Sequence, residues 1–295
     1  MGKAHFIMKM MLSHIIKLHH YLRGDWFMNQ QTLILDLDDT LIHCNKYFVE
    51  SRNRFANVMK KWFKSVQKQE ILQKQSEIDI KSVENDGLHS SLYTQSLVTT
   101  YRYFCEKTGR KIKASELNQV EKIGQSVFQR KVKPFPYMYE ILDTLQAERH
   151  QLYLFTGGDE ENQNRKISQL RLTDYFQERI FIFEHKNTEA LQQVLNKINA
   201  DKKNTWLIGN SLKTDIKPAI ELGLNAIHIP AEIEWSYNIV DIEIQPSGTY
   251  AELKSLVQLP EYIREQADSR GKTRRDSVKE IRSQEWVHLN KGVQA

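Results

Sequence analysis

Residues 32–41 read TLILDLDDTL, from Thr32 to Leu41, and the organisation of the whole chain follows from them. Thr32–Leu35 is a short apolar run rich in leucine and β-branched residues, the pattern of a buried parallel strand. It stops abruptly on Asp36, Asp38 and Asp39. At a strand's edge the backbone can splay the carboxyl groups of Asp36 and Asp38 toward one ligand. Two nearby carboxylates repel, and a hard divalent cation such as magnesium relieves that repulsion. With metal and phosphate present, one carboxylate can attack phosphorus while the other moves protons. Taken alone, the pentapeptide 36–40 reads equally well as a solvated turn.

Working outward, similar runs recur at Gln151–Phe155 before Thr156-Gly157-Gly158, Arg179–Phe183 before Glu184, Thr205–Ile208 before Gly209-Asn210, and Asn225–Ile229 before Pro230. Helical spacing separates them, with Met138, Ile141, Leu142 and Leu145 in one segment and Leu191, Val194, Leu195 and Ile198 in another. Strand and helix alternating in this way predict a doubly wound parallel, Rossmann-like α/β sheet. In such sheets ligands bind beyond the carboxyl ends of the strands, where each run above ends in polar or glycine residues.

The interval 45–134 lacks strand patterns and carries helical ones, such as Phe55, Val58, Met59, Trp62, Phe63 and Val66. Because the first strand precedes it and the others follow, this insert leaves and rejoins the sheet near the first strand's carboxyl end and is predicted to form an α-helical cap over the site. Residues 67–90 are its most polar part, predicting a solvent-facing helix and a turn at Asp86-Gly87. Tyr93, Tyr101 and Tyr103 either stack on a substrate ring or pack the helices, and packing is the simpler reading. The expected divisions are an N-terminal extension over 1–28, a core over 29–44 and 135–258, the cap over 45–134, and a charged, loosely ordered tail over 259–295.

Composition narrows the classes. The 295 residues are 40% hydrophobic, with 42 basic against 37 acidic side chains and a net charge of +5. That charge is spread widely and suits a small anionic partner better than nucleic acid; the tail's arginines are interspersed with acids. Two cysteines, Cys44 and Cys105, with no metal-binding spacing, point to a reducing, cytoplasmic location and no structural zinc. No apolar run approaches the ~20 residues that span a bilayer, so no stable membrane insertion is expected. The basic first 28 residues read as an appendage: either translation begins at Met28, or they form an amphipathic helix resting on a membrane.

The DLDDTL segment after an apolar strand resembles the first motif of the haloacid dehalogenase-like superfamily, and the later motifs follow in the family's order: Thr156 in YLFTGG, Lys186 in IFEHKNTEALQQVL, and Asn210 with Asp215 in WLIGNSLKTDIKPA. The resemblance implies that Asp36 is the nucleophile. Asp38 would protonate the leaving alkoxide and then activate water, a residue that the superfamily's dehalogenases lack. Thr156 and the amide near Gly157 would bind phosphoryl oxygens, Lys186 would offset negative charge, and Asp36, Asp38, Asn210 and Asp215 would hold Mg2+. Lys166 and Lys213 compete with Lys186 for its role; Asp39 would serve the turn, and Thr40 would bond to its local backbone. Asn210 departs from the family, which usually has an aspartate there, so weaker metal binding is implied. The implied activity is a Mg-dependent phosphatase acting on a small phosphorylated metabolite (a nucleotide, flavin mononucleotide or sugar phosphate) through an aspartyl-phosphate. The alternative is a weak or inactive relative that binds phosphate metabolites in a regulatory role.

Overall fold

The computed structural model describes residues 30–269; the expected N-terminal extension and the tail beyond 269 lie outside them. Six strands form one sheet: β1 (Thr32–Leu35), β2 (Gln151–Gly157), β3 (Ile180–Phe183), β4 (Thr205–Gly209), β5 (Asn225–His228) and β6 (Tyr250–Glu252). Their order is β3-β2-β1-β4-β5-β6, with every neighbouring pair parallel. The doubly wound α/β reading therefore holds. β1 sits centrally, with Thr32 opposite both Gln151 and Thr205 and Leu35 opposite both Leu154 and Ile208. Chain connections run in opposite directions on its two sides, so a crevice opens where β1 ends. Leu33, Ile34 and Leu35 are fully buried, as expected for a strand covered on both faces.

Between β1 and β2 the insertion contains α1 (Asn45–Trp62), α2 (Lys68–Asp86), α3 (Ser90–Thr108) and α4 (Ala114–Gln125). These helices pack around their own apolar cluster, including Phe55, Met59, Phe63, Leu97, Tyr101 and Phe104. The polar α2 differs from the solvent-facing helix expected. Ile71, Gln75, Asp79 and Val83, spaced four apart, are its buried stripe, and two of those four are polar, which hides the pattern from a hydrophobicity reading. Gly87 ends α2 at φ +84°, and the turn expected at Asp86-Gly87 is present.

Helices α5 (Met138–Ala147), α6 (Glu160–Gln169), α7 (Thr173–Phe176), α8 (Thr188–Ile198) and α9 (Lys217–Glu221) follow. Met138, Ile141, Leu142 and Leu145 form the buried stripe of α5, as their spacing predicts. Asn187 caps α8 by accepting from the Ala190 amide at 2.9 Å, and Leu191, Val194 and Leu195 face the core shared with Phe155, Leu207 and Ile216. Two departures appear late in the chain. β6 has only three residues with no buried one, so no apolar run announces it. Residues 259–269, expected to open a loosely ordered tail, are helical.

Candidate active site

The end of β1 delivers Asp36 to the crevice. Its amide donates to the Ile208 carbonyl at 2.9 Å, extending the sheet by one bond, and the residue is 4% exposed. Lys186, brought in by the segment after β3, places Nζ 2.5 Å from Asp36 Oδ1 and 2.5 Å from Asp215 Oδ1. Asp36 Oδ2 is buried with no hydrogen-bond partner. Burial pushes the Asp36 carboxyl up to about 7 against the pull of Lys186, with Asp215 adding to the rise. Burial alone would discharge Lys186, but Asp215 and Asp36 outweigh it and hold its pKa above the ordinary lysine value. One ammonium thus serves two carboxylates.

Asp215 reaches this cluster because the chain after β4 makes a π-helical turn over Leu212–Ile216, capped by Ser211 through the Thr214 amide at 3.0 Å. The turn folds Asp215 back so that Oδ2 accepts from the Ser211 amide at 2.9 Å. Gly209 is required there, since a Cβ at that position would collide with the Asp215 carboxylate. Asn210 lies beside them, with Oδ1 accepting from Thr40 Oγ1 at 3.4 Å and its carbonyl facing His228 Nε2 at 3.0 Å. Thr40 therefore reaches across to Asn210, where a local backbone bond was expected.

Asp38 is turned elsewhere. Lys166 Nζ, from α6, donates to Asp38 Oδ1 at 2.9 Å and to Oδ2 at 2.7 Å, and Gln163 Nε2 donates to Oδ2 at 3.1 Å. Burial would raise this carboxyl, but the charge and hydrogen bonds of Lys166, together with Gln163, bring it below the ordinary aspartate range. Of the three lysines weighed for one role, Lys186 serves Asp36, Lys166 serves Asp38, and Lys213 pairs with Glu84 at 3.1 Å. Asp39 takes the left-handed conformation at φ +58° and accepts from the amides of Cys44 and Asn45 at 2.9 and 2.8 Å, tying the turn to the start of α1.

Asp36, Asp38, Gly157, Lys186, Asn210 and Asp215 line one cavity of about 190 Å3. Thr156 does not line it. It is fully buried at the end of β2, and its Oγ1 accepts from Gln163 Nε2 at 2.5 Å. Gln163 also donates to the Gly157 carbonyl at 2.9 Å, so it joins β2 to Asp38. No sequence pattern singles out Gln163; its only signal is the helical spacing that puts it one turn before Lys166.

The donors suit a hard cation in part. A buried, unpartnered carboxylate oxygen on Asp36 and the amide oxygen of Asn210 are ligands of the type magnesium takes, and magnesium commonly binds through one or two carboxylates, substrate phosphate and waters. Among the described residues no group of three His, Cys, Asp or Glu side chains forms a complete cage.

The profile of the haloacid dehalogenase-like hydrolases matches residues 33–229, spanning all the elements just described from β1 to β5. The chain belongs to that family. Solved structures agree on the fold of this hydrolase. A haloacid dehalogenase-like family hydrolase from Xanthomonas campestris is 22% identical, covering 83% of this chain and 95% of its own, with a TM-score of 0.68. The Bacillus subtilis candidate HAD-hydrolase YfnB, solved bound to magnesium, is 17% identical over 80% of this chain and 99% of its own, with a TM-score of 0.55. A predicted phosphoglycolate phosphatase from Haemophilus somnus is 13% identical over 80% and 99%, with a TM-score of 0.53. Dehalogenases share the fold as well, so the fold by itself does not choose between phosphate and halide chemistry. No curated protein matches the chain. Among the described residues no helix is long and apolar enough to cross a membrane.

Proposed function

We propose that this hydrolase is a magnesium-dependent phosphatase of small phosphomonoesters, with Asp36 as nucleophile and Asp38 as proton carrier. The observation that carries the reading is the division of labour between the two carboxylates. Asp36 is buried with one oxygen on Lys186 and the other unpartnered, while Asp38, two residues on, lines the same cavity with a separate lysine. A halide leaves without a proton, whereas an alkoxide needs one, so a second carboxyl at the nucleophile's side favours phosphate esters.

In this scheme an Asp36 oxygen bonds to phosphorus as the ester oxygen departs with a proton from Asp38. Asp38 then takes a proton from water, whose oxygen attacks phosphorus and releases inorganic phosphate, restoring Asp36. Asp38 begins ionised beside Lys166, so the acid step requires it to gain a proton. An incoming phosphate dianion favours this gain, because it competes for Lys166 and repels the Asp38 charge. Lys186 and the Gly157 backbone balance charge on the phosphoryl group. Magnesium, held by Asp36 and Asn210 with Asp215 alongside, would supply further neutralisation of the phosphate oxygens. The helical insertion, which lines the same cavity, would act as the cap that excludes water. A cytoplasmic, metabolite-directed role accords with the two free cysteines.

The test is phosphate release from p-nitrophenyl phosphate across a magnesium series, with an EDTA arm and an Asp36→Asn variant. Activity should require magnesium and fall at least a thousandfold in Asp36→Asn. A wild type inert toward this ester and toward a panel of natural monophosphates at saturating magnesium would instead favour a regulatory protein that binds metabolites.

A further inference from the structure

The cavity that begins at Asp36 ends among residues for which the phosphatase scheme has no use. Phe48 and Arg52 lie one turn apart on one face of α1, and Asp79 faces the cavity from α2. Arg52 is tethered by Nη2, which donates to the Leu72 carbonyl at 3.1 Å. That tether fixes the rigid guanidinium plane and leaves Nε buried with no acceptor. Buried donors are almost always paired, so an orphan beside a cavity marks where a ligand's acceptor would sit. Asp79 supplies the complementary acceptor, a buried carboxyl that burial pushes up to about 6 against the opposing pull of a Ser96 hydrogen bond and the Arg52 charge.

Around this donor and acceptor the walls are aromatic. Phe48, Tyr93 and Phe128 all line the cavity, with ring centroids 4.8 Å apart for Phe48 and Tyr93, 5.9 Å for Phe48 and Phe128, and 6.4 Å for Tyr93 and Phe128. Such a corner accepts a flat ring by edge or face contact. The cavity volume of about 190 Å3 lies below the ~300–1,000 Å3 of most ligand sites, which favours one ring over a fused system such as a flavin.

We propose that Arg52 and Asp79 form the leaving-group subsite of this hydrolase, selecting phosphate esters of a single-ring nitrogen heterocycle whose edge carries a hydrogen-bond acceptor beside an N–H donor. The subsite rests on the phosphatase reading for its substrate but not for its binding of the ring. Arg52 donates to the ring's acceptor, Asp79 receives its N–H, and the three aromatic side chains hold the plane.

Two measurements on the full chain separate these readings. In the first, kcat/KM is compared for uridine and cytidine 5′-monophosphates against glycerol 3-phosphate, which has no such edge. The wild type should favour the pyrimidine esters at least tenfold, and Arg52→Met should cut that ratio tenfold or more, chiefly through KM. Asp79→Asn gives the same readout if Arg52→Met does not fold. A wild type without the preference, or variants that lose all substrates in equal proportion, would overturn the proposal. The second reads uridine binding alone, by saturation-transfer NMR, so it needs no turnover. A signal present in the wild type and lost in Arg52→Met supports the subsite even if no ester is hydrolysed, whereas equal signals or none refute it while leaving the phosphatase reading untouched.

Discussion

Lys186 carries one positive charge between two buried carboxylates, and when both are ionised the cluster keeps a net negative charge. In the proposed scheme that residual charge would attract a divalent cation, and the neutral amide of Asn210 would add a ligand without adding charge. Asn210→Asp should therefore tighten magnesium, moving the half-saturating concentration down by roughly tenfold, equivalent to ~1.4 kcal/mol. The check is the magnesium dependence both of activity and of the thermal midpoint, the latter being independent of turnover. An unchanged midpoint series would remove Asn210 from the ligand set. The same residue scale explains why Asp38 differs from Asp36 despite their shared strand end. Asp36 is buried and Asp38 half-buried, and Lys166 bonds both oxygens of Asp38, while Asp36 shares Lys186 with Asp215.

Among the elements, α3 and α4 are joined by a polar knot. Arg110, just past the end of α3, donates to both oxygens of Glu116 at 2.5 and 2.7 Å, and the Tyr101 hydroxyl donates to Glu116 at 2.8 Å. Tyr101 is thus a packing residue, while Tyr93 lines the cavity and Tyr103 is exposed. The Arg110 hydrogen bonds hold the Glu116 carboxyl below its ordinary value. A carboxyl with a depressed folded-state pKa contributes stability that is present above its unfolded pKa, about 4.3, and is lost as pH falls through the lower folded value. Glu116→Ala should accordingly cost about 2 kcal/mol in urea unfolding at pH 7. The gap between wild type and variant should narrow below pH ~4; a gap that stays constant down to pH 3 would show that the charge is not what matters.

For the molecule as a whole, function depends on how the insertion meets the sheet. The crossing at residues 87–90 is held by the Leu88 amide donating to the Glu184 carbonyl at 2.7 Å and the Ser90 amide donating to Asp159 Oδ2 at 2.8 Å. Asp159 also caps α6 through the Asn162 amide at 2.9 Å, so one carboxylate sets both the insertion and the helix carrying Gln163 and Lys166. The Glu84–Lys213 ion pair at 3.1 Å adds a partly exposed contact of little energetic weight. Gly87 is the sensitive point, because its φ is +84° and a Cβ would lie 3.0 Å from the Glu184 carbonyl oxygen. Gly87→Ala should destabilise by about 1–3 kcal/mol and raise KM for phosphate esters more than it lowers kcat, since the strain falls on the cavity's wall and not on Asp36. Thermal denaturation and steady-state kinetics check both parts, and an unchanged KM would sever the link between this crossing and substrate binding.

How much of this was legible beforehand follows the range of the forces involved. Apolar runs marked five of the six strands, four of them followed by polar or glycine residues and the fifth by Pro230, because a buried parallel strand needs continuous hydrophobicity. The order of Asp36, Thr156, Lys186, Asn210 and Asp215 marked the strand ends that would meet. Local sequence carried no sign of β6, whose three residues acquire their pairing from β5, or of the buried face of α2, whose polar Gln75 and Asp79 are enclosed by the folded insertion, Gln75 donating to Ser96 at 3.0 Å. Pairings across the fold were likewise hidden: Gln163 and Lys166 on Asp38, Thr40 reaching Asn210, and Thr156 lying behind the cavity wall. The sequence by itself determined the parallel α/β sheet, its helical insertion and the set of reactive side chains, since these follow from hydrophobic period and chain order. Only the tertiary structure decided which lysine neutralises which carboxylate and which insertion residues face the cavity, because those depend on the three-dimensional approach of groups from separate elements, 150 residues apart for Lys186 and Asp36 and 128 for Lys166 and Asp38.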